Sequence, residues 1–255
     1  MPYNKVMILD IPISNLSLED FLERIYGELS SKTKNIFIVT ANPEIIMTAK
    51  HSPSYRKSVL QANYIVPDGS GIMLASKILD QPLAEKITGY DLFHIFLAHA
   101  SEHKKTIYFF GSKEGVASKA ALNALELYND FKIAGTKNGY SGLGEDIALE
   151  IAETKPDFVF VGLGAPLQEQ WIADYKYLFP HAVLMGVGGS FDVLSGNSKR
   201  APQFWIKHNL EWLYRLLTQP IRGKRMMQLP LYLMLVFKQK WKRSRILKKE
   251  NGKIL

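Results

Sequence analysis

Residues 35–69, "NIFIVTANPEIIMTAKHSPSYRKSVLQANYIVPDG", spell out a strand, a helix and a second strand. The ends, Asn35–Thr40 and Tyr64–Pro67, are short runs rich in β-branched and aromatic residues, and Glu44–Ser52 between them carries a helical pattern. A strand followed by a helix and another strand at this spacing predicts two parallel strands joined by a crossover. Both strands are continuously apolar rather than alternating, as expected where helices cover both faces of a sheet.

The same unit recurs up to about residue 190. Further strands are predicted at Thr106–Phe110, Phe131–Gly135, Phe158–Gly162 and Ala182–Gly186, with helices at Leu18–Leu29, Gly71–Leu79, Tyr90–Ser101, Val116–Tyr128, Glu145–Glu153 and Gln168–Lys176. The fold class is therefore α/β, with a mostly parallel sheet between two helical layers. No internal repeat and no low-complexity stretch interrupts it.

Several predicted strands end in small or polar residues: Thr40-Ala41-Asn42-Pro43, Pro67-Asp68-Gly69, Gly111-Ser112, Gly162-Leu163-Gly164 and Gly186-Val187-Gly188-Gly189. Ligands of open α/β sheets sit outside such carboxyl ends. Glycines there expose backbone N–H groups that suit a phosphate at a helix start, although each also makes an ordinary tight turn. "GLGAPLQ" lacks the third glycine of a dinucleotide fingerprint, and no P-loop motif occurs. Pro67-Asp68-Gly69 is by its local chemistry a turn. On a neighbouring strand, however, Thr40 and Asn42 would join Asp68 in presenting hydroxyl, amide and carboxylate groups to one cleft. That set can orient a sugar hydroxyl and take its proton.

The chain has 255 residues, 47% of them apolar and 22% charged, which is ordinary for a globular protein. It has no cysteine, so disulfides, zinc–thiolate sites and cysteine nucleophiles are excluded. There is no Asp-x-Asp pair of the kind that holds a metal-bound nucleotide diphosphate, and no metal site is expected. The amino-terminal "MPYNKVMILDIPIS" lacks the features of a signal peptide. The longest apolar run, "LPLYLMLVF" at 229–237, has nine residues, about half of the roughly 18–20 that span a bilayer.

The net charge of +8 is uneven. Residues 1–199 hold 18 Lys and Arg against 22 Asp and Glu, whereas residues 200–255 hold 14 against 2. Together with the loop-like "SGNSKRAPQ", this predicts a core over 1–199 and a basic helical appendage over 200–255. In the appendage Ile206, Leu210, Leu213 and Leu217 mark one apolar face, and Pro220 and Pro230 should break the helix into pieces. With only a mild kink, Arg215, Arg222 and Arg225 fall within about one quadrant at 3.6 residues per turn, placed for a shared anion such as a departing diphosphate. Trp205, Trp212 and Trp241 complete a tail suited to an anionic membrane surface. Taken alone, that tail also fits a non-catalytic membrane- or nucleic-acid-binding α/β protein.

The blocks "TANPEI", "VPDGSGIMLASKIL", "KITGYDLF", "FFGSKEGVA", "VGLGAPLQEQWI", "GVGGSFDVLSG" and "RAPQFWIKHNLEWLYRLLTQPIRGKRM" resemble the WecG/TagA/CpsF glycosyltransferases, glycosyltransferase family 26, across almost the whole chain. The resemblance implies a Rossmann-like core with a C-terminal appendage that engages the membrane and closes the site. It implies an inverting, metal-independent enzyme without a cofactor. Such an enzyme moves an N-acetylmannosamine-type sugar from a UDP-sugar to a polyprenyl-diphosphate acceptor, often one carrying N-acetylglucosamine, in teichoic acid, common antigen or capsule synthesis. The partners implied are the UDP-sugar, the lipid acceptor and the membrane, on whose inner face the protein would be peripheral. No nucleic acid is implied, and a homo-oligomer is compatible with the resemblance.

Carried over by motif, Asp68 is similar to the family's general base, with Thr40 and Asn42 positioning the sugar. Gln168 would contact the donor, Tyr140 would line the nucleotide pocket, and Gly111 and Gly164 would belong to the substrate loops. Arg215, Arg222 and Arg225 would bind diphosphate. The chain departs from the family pattern at Asp80-Gln81-Pro82, where Gly is common, and at Lys86, where Arg is common. Lys keeps the charge of Arg and loses its bidentate recognition.

Overall fold

The computed structural model describes residues 3–208, 210–218 and 228–251. Six strands form one parallel sheet: β3 (Ile36–Ala41), β4 (Tyr64–Pro67), β5 (Thr106–Gly111), β6 (Lys132–Lys137), β7 (Phe158–Gly162) and β8 (Val183–Gly186), in the order β4-β3-β8-β7-β5-β6. A two-stranded antiparallel hairpin, β1 (Lys5–Ile8) with β2 (Ile11–Ser14), precedes it. Its second strand lies by the β4 edge, where Ser14 Oγ accepts from the Ile65 N–H at 3.2 Å.

Alternate residues of each strand feed two separate cores, as a sheet covered on both faces requires. Phe37, Val39, Ile65, Tyr108, Phe110, Val159, Val161 and Leu184 face one layer. That layer contains α2 (Pro43–His51), α3 (Pro53–Val59), α4 (Ser70–Ile78), α7 (Glu145–Glu153) and α8 (Leu167–Tyr175), together with the hairpin. Ile36, Ile38, Val66, Phe109, Phe158, Phe160 and Met185 face the other, with α1 (Leu18–Ser31), α5 (Gly89–Glu102), α6 (Val116–Tyr128) and α9 (Ser190–Leu194). The second core is dense in aromatic rings; Phe93 meets Phe160 edge-on with ring centroids 4.7 Å apart.

The topology opens a crevice. From β5 the chain moves outward to β6 through α6 on one face, and from β7 it moves the opposite way to β8 through α8 on the other. The loops of these two adjacent strands therefore part, which makes a switch point. The strands themselves come close, because Gly111 faces Gly162: a Cβ on Gly111 would lie 2.5 Å from the Gly162 carbonyl carbon.

After α9 come α10 (Gln203–Lys207), α11 (Glu211–Thr218) and α12 (Gln228–Asn251). Pro230 stands in the first turn of α12, where a missing N–H costs little. The helix packs on α2 and α4, burying Tyr232 and Val236 completely. Among the described residues no helix is long and apolar enough to cross a membrane.

Candidate active site

A cleft of about 600 Å³ lies at the carboxyl edge of the sheet. Its wall takes residues from every strand end between β4 and β5, and Tyr140 from the loop after β6. Of the seven core positions singled out in the sequence, six line it: Thr40, Asn42, Asp68, Tyr140, Gly164 and Gln168. After Gly111 it is the successors Ser112 and Lys113 that form the wall.

Asp68 is positioned by its backbone on both sides. The register Thr40↔Val66 and Ala41↔Pro67 brings the ends of β3 and β4 level. The Asp68 N–H then donates to the Ala41 carbonyl at 2.8 Å, and the Pro67 carbonyl accepts from the Ile87 N–H at 2.9 Å. Gly69, with φ of +87°, turns the chain into α4, a conformation that strains residues with a Cβ. The turn and the placement of an acid at the cleft are thus one feature.

Asn42 is the N-cap of α2, its Oδ1 accepting from the Ile45 N–H at 3.0 Å. Thr40 is almost fully buried and packs against the first residue of α5: a Cβ on Gly89 would lie 2.9 Å from Thr40 Oγ1. Tyr140 is 78% exposed on its loop, a ring presented to the mouth of the cleft.

Gln168 is buried, and its amide joins two loops. Its Oε1 accepts from the N–H of Gly164 at 3.1 Å and of Gly188 at 3.0 Å, while its Nε2 donates to Glu169 Oε1 at 2.7 Å. Glu169 is 2% exposed, and its second oxygen accepts from the Tyr55 hydroxyl at 2.8 Å. Burial pushes the Glu169 carboxyl up to about 7, against the pull of its hydrogen bonds from Gln168 and Tyr55. Burial, with the nearby Glu169 charge, also raises the Tyr55 hydroxyl well above its ordinary value.

Sequence reasoning missed several cleft residues. Lys113, Asp192, Lys199 and Arg200 all line it. Arg200 Nη2 donates to Asp91 Oδ1 at 2.6 Å, and its guanidinium sits 4.2 Å from the Tyr90 ring centroid. Lys199 and Arg200 were hidden in a stretch that reads as a boundary loop; the signal for Lys113 was its position two residues past a strand end. Of the three tail arginines, Arg215 belongs to α11 with its side chain outside the described part, and Arg222 and Arg225 lie outside the described residues. Among the described residues no three His, Asp or Glu side chains group as metal ligands.

Fold and cleft define an α/β enzyme of the doubly wound type, with its ligand site where the strand loops part. Residues 6–246 match the glycosyl transferase WecG/TagA/CpsF family, and the chain belongs to that family of glycosyltransferases. It is 42% identical over 232 residues to a protein of Bacillus spizizenii strain W23, covering 89% of this chain and 90% of that one. It is 40% identical over 232 residues to one from Bacillus subtilis strain 168, covering 91% of each. With one from Staphylococcus aureus strain NCTC 8325 it shares 37% identity over 240 residues, 93% of this chain and 94% of that one. All three relatives are named N-acetylglucosaminyldiphosphoundecaprenol N-acetyl-beta-D-mannosaminyltransferase.

Proposed function

We propose that this chain transfers an N-acetylmannosamine-type sugar from a UDP-sugar to a polyprenyl-diphosphate-linked N-acetylglucosamine acceptor, with inversion and without a metal. The observation that carries this reading is the meeting of Asp68, Thr40 and Asn42 with the glycine loops in one cleft. The names of the relatives supply the sugar and the acceptor. Metal independence is supported by a sequence with no Asp-x-Asp pair to hold a metal–diphosphate.

In this mechanism the acceptor hydroxyl oxygen forms a bond to the anomeric carbon as the bond from that carbon to the β-phosphate oxygen breaks. The hydroxyl proton passes to the Asp68 carboxylate, and the electron pair leaves with UDP. Thr40 and Asn42 orient the sugar, Tyr140 lies against the nucleotide, and Gly111 and Gly164 belong to the loops beside the diphosphate. Arg215, Arg222 and Arg225 offset the negative charge that develops as UDP departs.

Residues 1–199 serve as the catalytic core and 200–255 as an appendage that meets the membrane and closes the site. On α12, Met234, Phe237 and Trp241 are exposed beside Lys238, Lys242 and Arg245, an apolar face with a basic fringe suited to an anionic interface. The enzyme would thus work on the inner face of a bacterial membrane, in synthesis of teichoic acid or another cell-surface polysaccharide.

The test is UDP release across a panel of UDP-hexoses with a short-chain diphosphate-linked N-acetylglucosamine acceptor. The expected result is turnover with UDP-N-acetylmannosamine that is unchanged by EDTA. Absence of turnover with every donor overturns the reading, and loss with EDTA that Mg²⁺ restores overturns its metal-free part.

A further inference from the structure

The cleft has a second layer of construction beneath it. The loops that follow β7 and β8 leave the sheet side by side, with the Val187 N–H donating to the Val161 carbonyl at 2.9 Å, and beyond that rung Gln168 ties them together, its Oε1 taking one N–H from Gly164 and one from Gly188. The amide orientation is forced from both sides. Two N–H donors on one side require the oxygen there, and the Glu169 carboxyl oxygen on the other requires the NH₂. Glu169 is in turn held by Tyr55, which lies on α3, 114 positions earlier in the chain. Space is also reserved for this arrangement, since a Cβ on Gly186 would lie 2.5 Å from Gln168 Nε2.

A buried carboxyl is costly to desolvate, so its place needs a compensating use. Glu169 is absent from the cleft lining, and its two oxygens are bonded to Gln168 and Tyr55. We propose that Glu169 is a positioning residue for the donor: acting through Gln168, it fixes the spacing of the two glycine loops that receive the sugar nucleotide. The inference rests on the donor reading above for its ligand and on the hydrogen bonds alone for the brace. Glu44 is the other acid that acts on Glu169, through its charge, and Tyr55 is the titratable group in direct contact. The carboxyl keeps Oε1 as the acceptor for Gln168 in either protonation state, since a proton on Oε2 can be donated to the Tyr55 oxygen.

The experiment compares Glu169→Gln, Glu169→Ala and Tyr55→Phe in the full chain. Glu169→Gln retains an oxygen acceptor for Gln168 and an NH₂ that can donate to the Tyr55 oxygen. It is expected to keep KM for the UDP-sugar within about threefold of wild type, whereas Glu169→Ala should raise it about tenfold or more with kcat much less affected. Tyr55→Phe should fall between the two. A loss in kcat for Glu169→Ala with unchanged KM, tracking a lower folded fraction, overturns the proposal. Hydrogen exchange at the Gly164 and Gly188 amides, measured without any ligand, reads the brace directly. Protection lost in Glu169→Ala and kept in Glu169→Gln supports it; protection unchanged in Glu169→Ala overturns it. Wild-type protein that turns over no UDP-sugar refutes the donor reading, and the exchange result still decides the brace.

Discussion

The main-chain N–H of Asp68 donates to the carbonyl oxygen of Ala41 at 2.8 Å, one rung beyond the last residue of β4. The parallel ladder therefore continues into the turn, and the acid is held by the sheet rather than by a free loop. That is the kind of support a side chain needs to meet a reacting hydroxyl in a fixed geometry.

Asp68→Asn keeps the rung, the turn and the side-chain shape while removing the base. Its kcat should fall by about 10²–10⁴, the range a general base contributes. Steady-state UDP release, with circular dichroism to confirm folding, checks this. Turnover near wild type in a folded variant would remove Asp68 from the mechanism.

The raised Glu169 carboxyl gives a pH signature in stability. Its value of about 7 in the folded state, against an ordinary 4.5, means that the folded chain holds this proton more tightly than the unfolded chain. The stability linked to that proton is complete below about 4.5 and is lost as pH rises through about 7, a change of roughly 3 kcal/mol. Glu169→Gln cannot ionise. Its Tm should exceed that of wild type by several degrees at pH 8 and by much less at pH 5, read by thermal melts at both values. A constant difference across that interval would contradict the assignment.

Tyr232 fastens α12 to the core. It is fully buried against α2 and α4, and its hydroxyl donates only a long hydrogen bond, 3.4 Å, to the Gly71 carbonyl. Tyr232→Ala should cost about 3–5 kcal/mol in denaturant unfolding, the range for a buried aromatic ring, while Tyr232→Phe should cost less than about 1 kcal/mol.

Asp80 holds a left-handed backbone conformation that Gly adopts without strain. It has φ of +56° at the end of α4, where its N–H meets the Lys77 carbonyl and the Gln81 N–H meets the Ser76 carbonyl, a Schellman arrangement. Here the side chain has a use, an ion pair with Lys240 of α12 at 2.8 Å. Both groups are largely exposed, so the pair is worth at most about 1 kcal/mol, similar to the strain that Gly would relieve. Asp80→Gly should therefore be close to neutral. Asp80→Ala loses the pair and keeps the strain, and should be the less stable variant in urea titration.

Replacing Met234, Phe237 and Trp241 together with Ser removes exposed apolar surface from α12 without touching Tyr232 or Val236. Binding to anionic vesicles should weaken by about tenfold or more at unchanged Tm, as expected when interfacial burial drives association. Unchanged vesicle binding in sedimentation would take this face out of the membrane contact.

Much of the fold was legible because its signals are local. Val116–Tyr128 and Glu145–Glu153 begin and end as the helical periodicity and flanking glycines indicate, and Tyr64–Pro67 and Phe158–Gly162 are the strands their apolar runs predict. The hairpin escaped that reading. Its turn residues, Leu9 and Asp10, both have positive φ without the Gly or Asn that usually marks such a turn. What holds it comes from 230 positions away: Gln239 of α12 accepts from the Leu9 N–H at 2.9 Å and donates to the Met7 carbonyl at 2.8 Å.

The candidate site divides along the same line. The sequence by itself determined that Asp68, Thr40, Asn42 and Gly164 stand at the ends of parallel strands, because residue spacing along the chain sets where each strand stops. Only the tertiary structure decided the strand order that gathers those ends around one cleft, since nothing in a strand's own residues names its neighbour. It alone decided that Glu169, in the predicted helix Gln168–Lys176, is buried beneath the glycine loops. The physical reason is that burial is a property of what packs on a residue: Tyr55 reaches Glu169 from a helix 114 positions earlier, and Gly188 reaches Gln168 from the loop after β8.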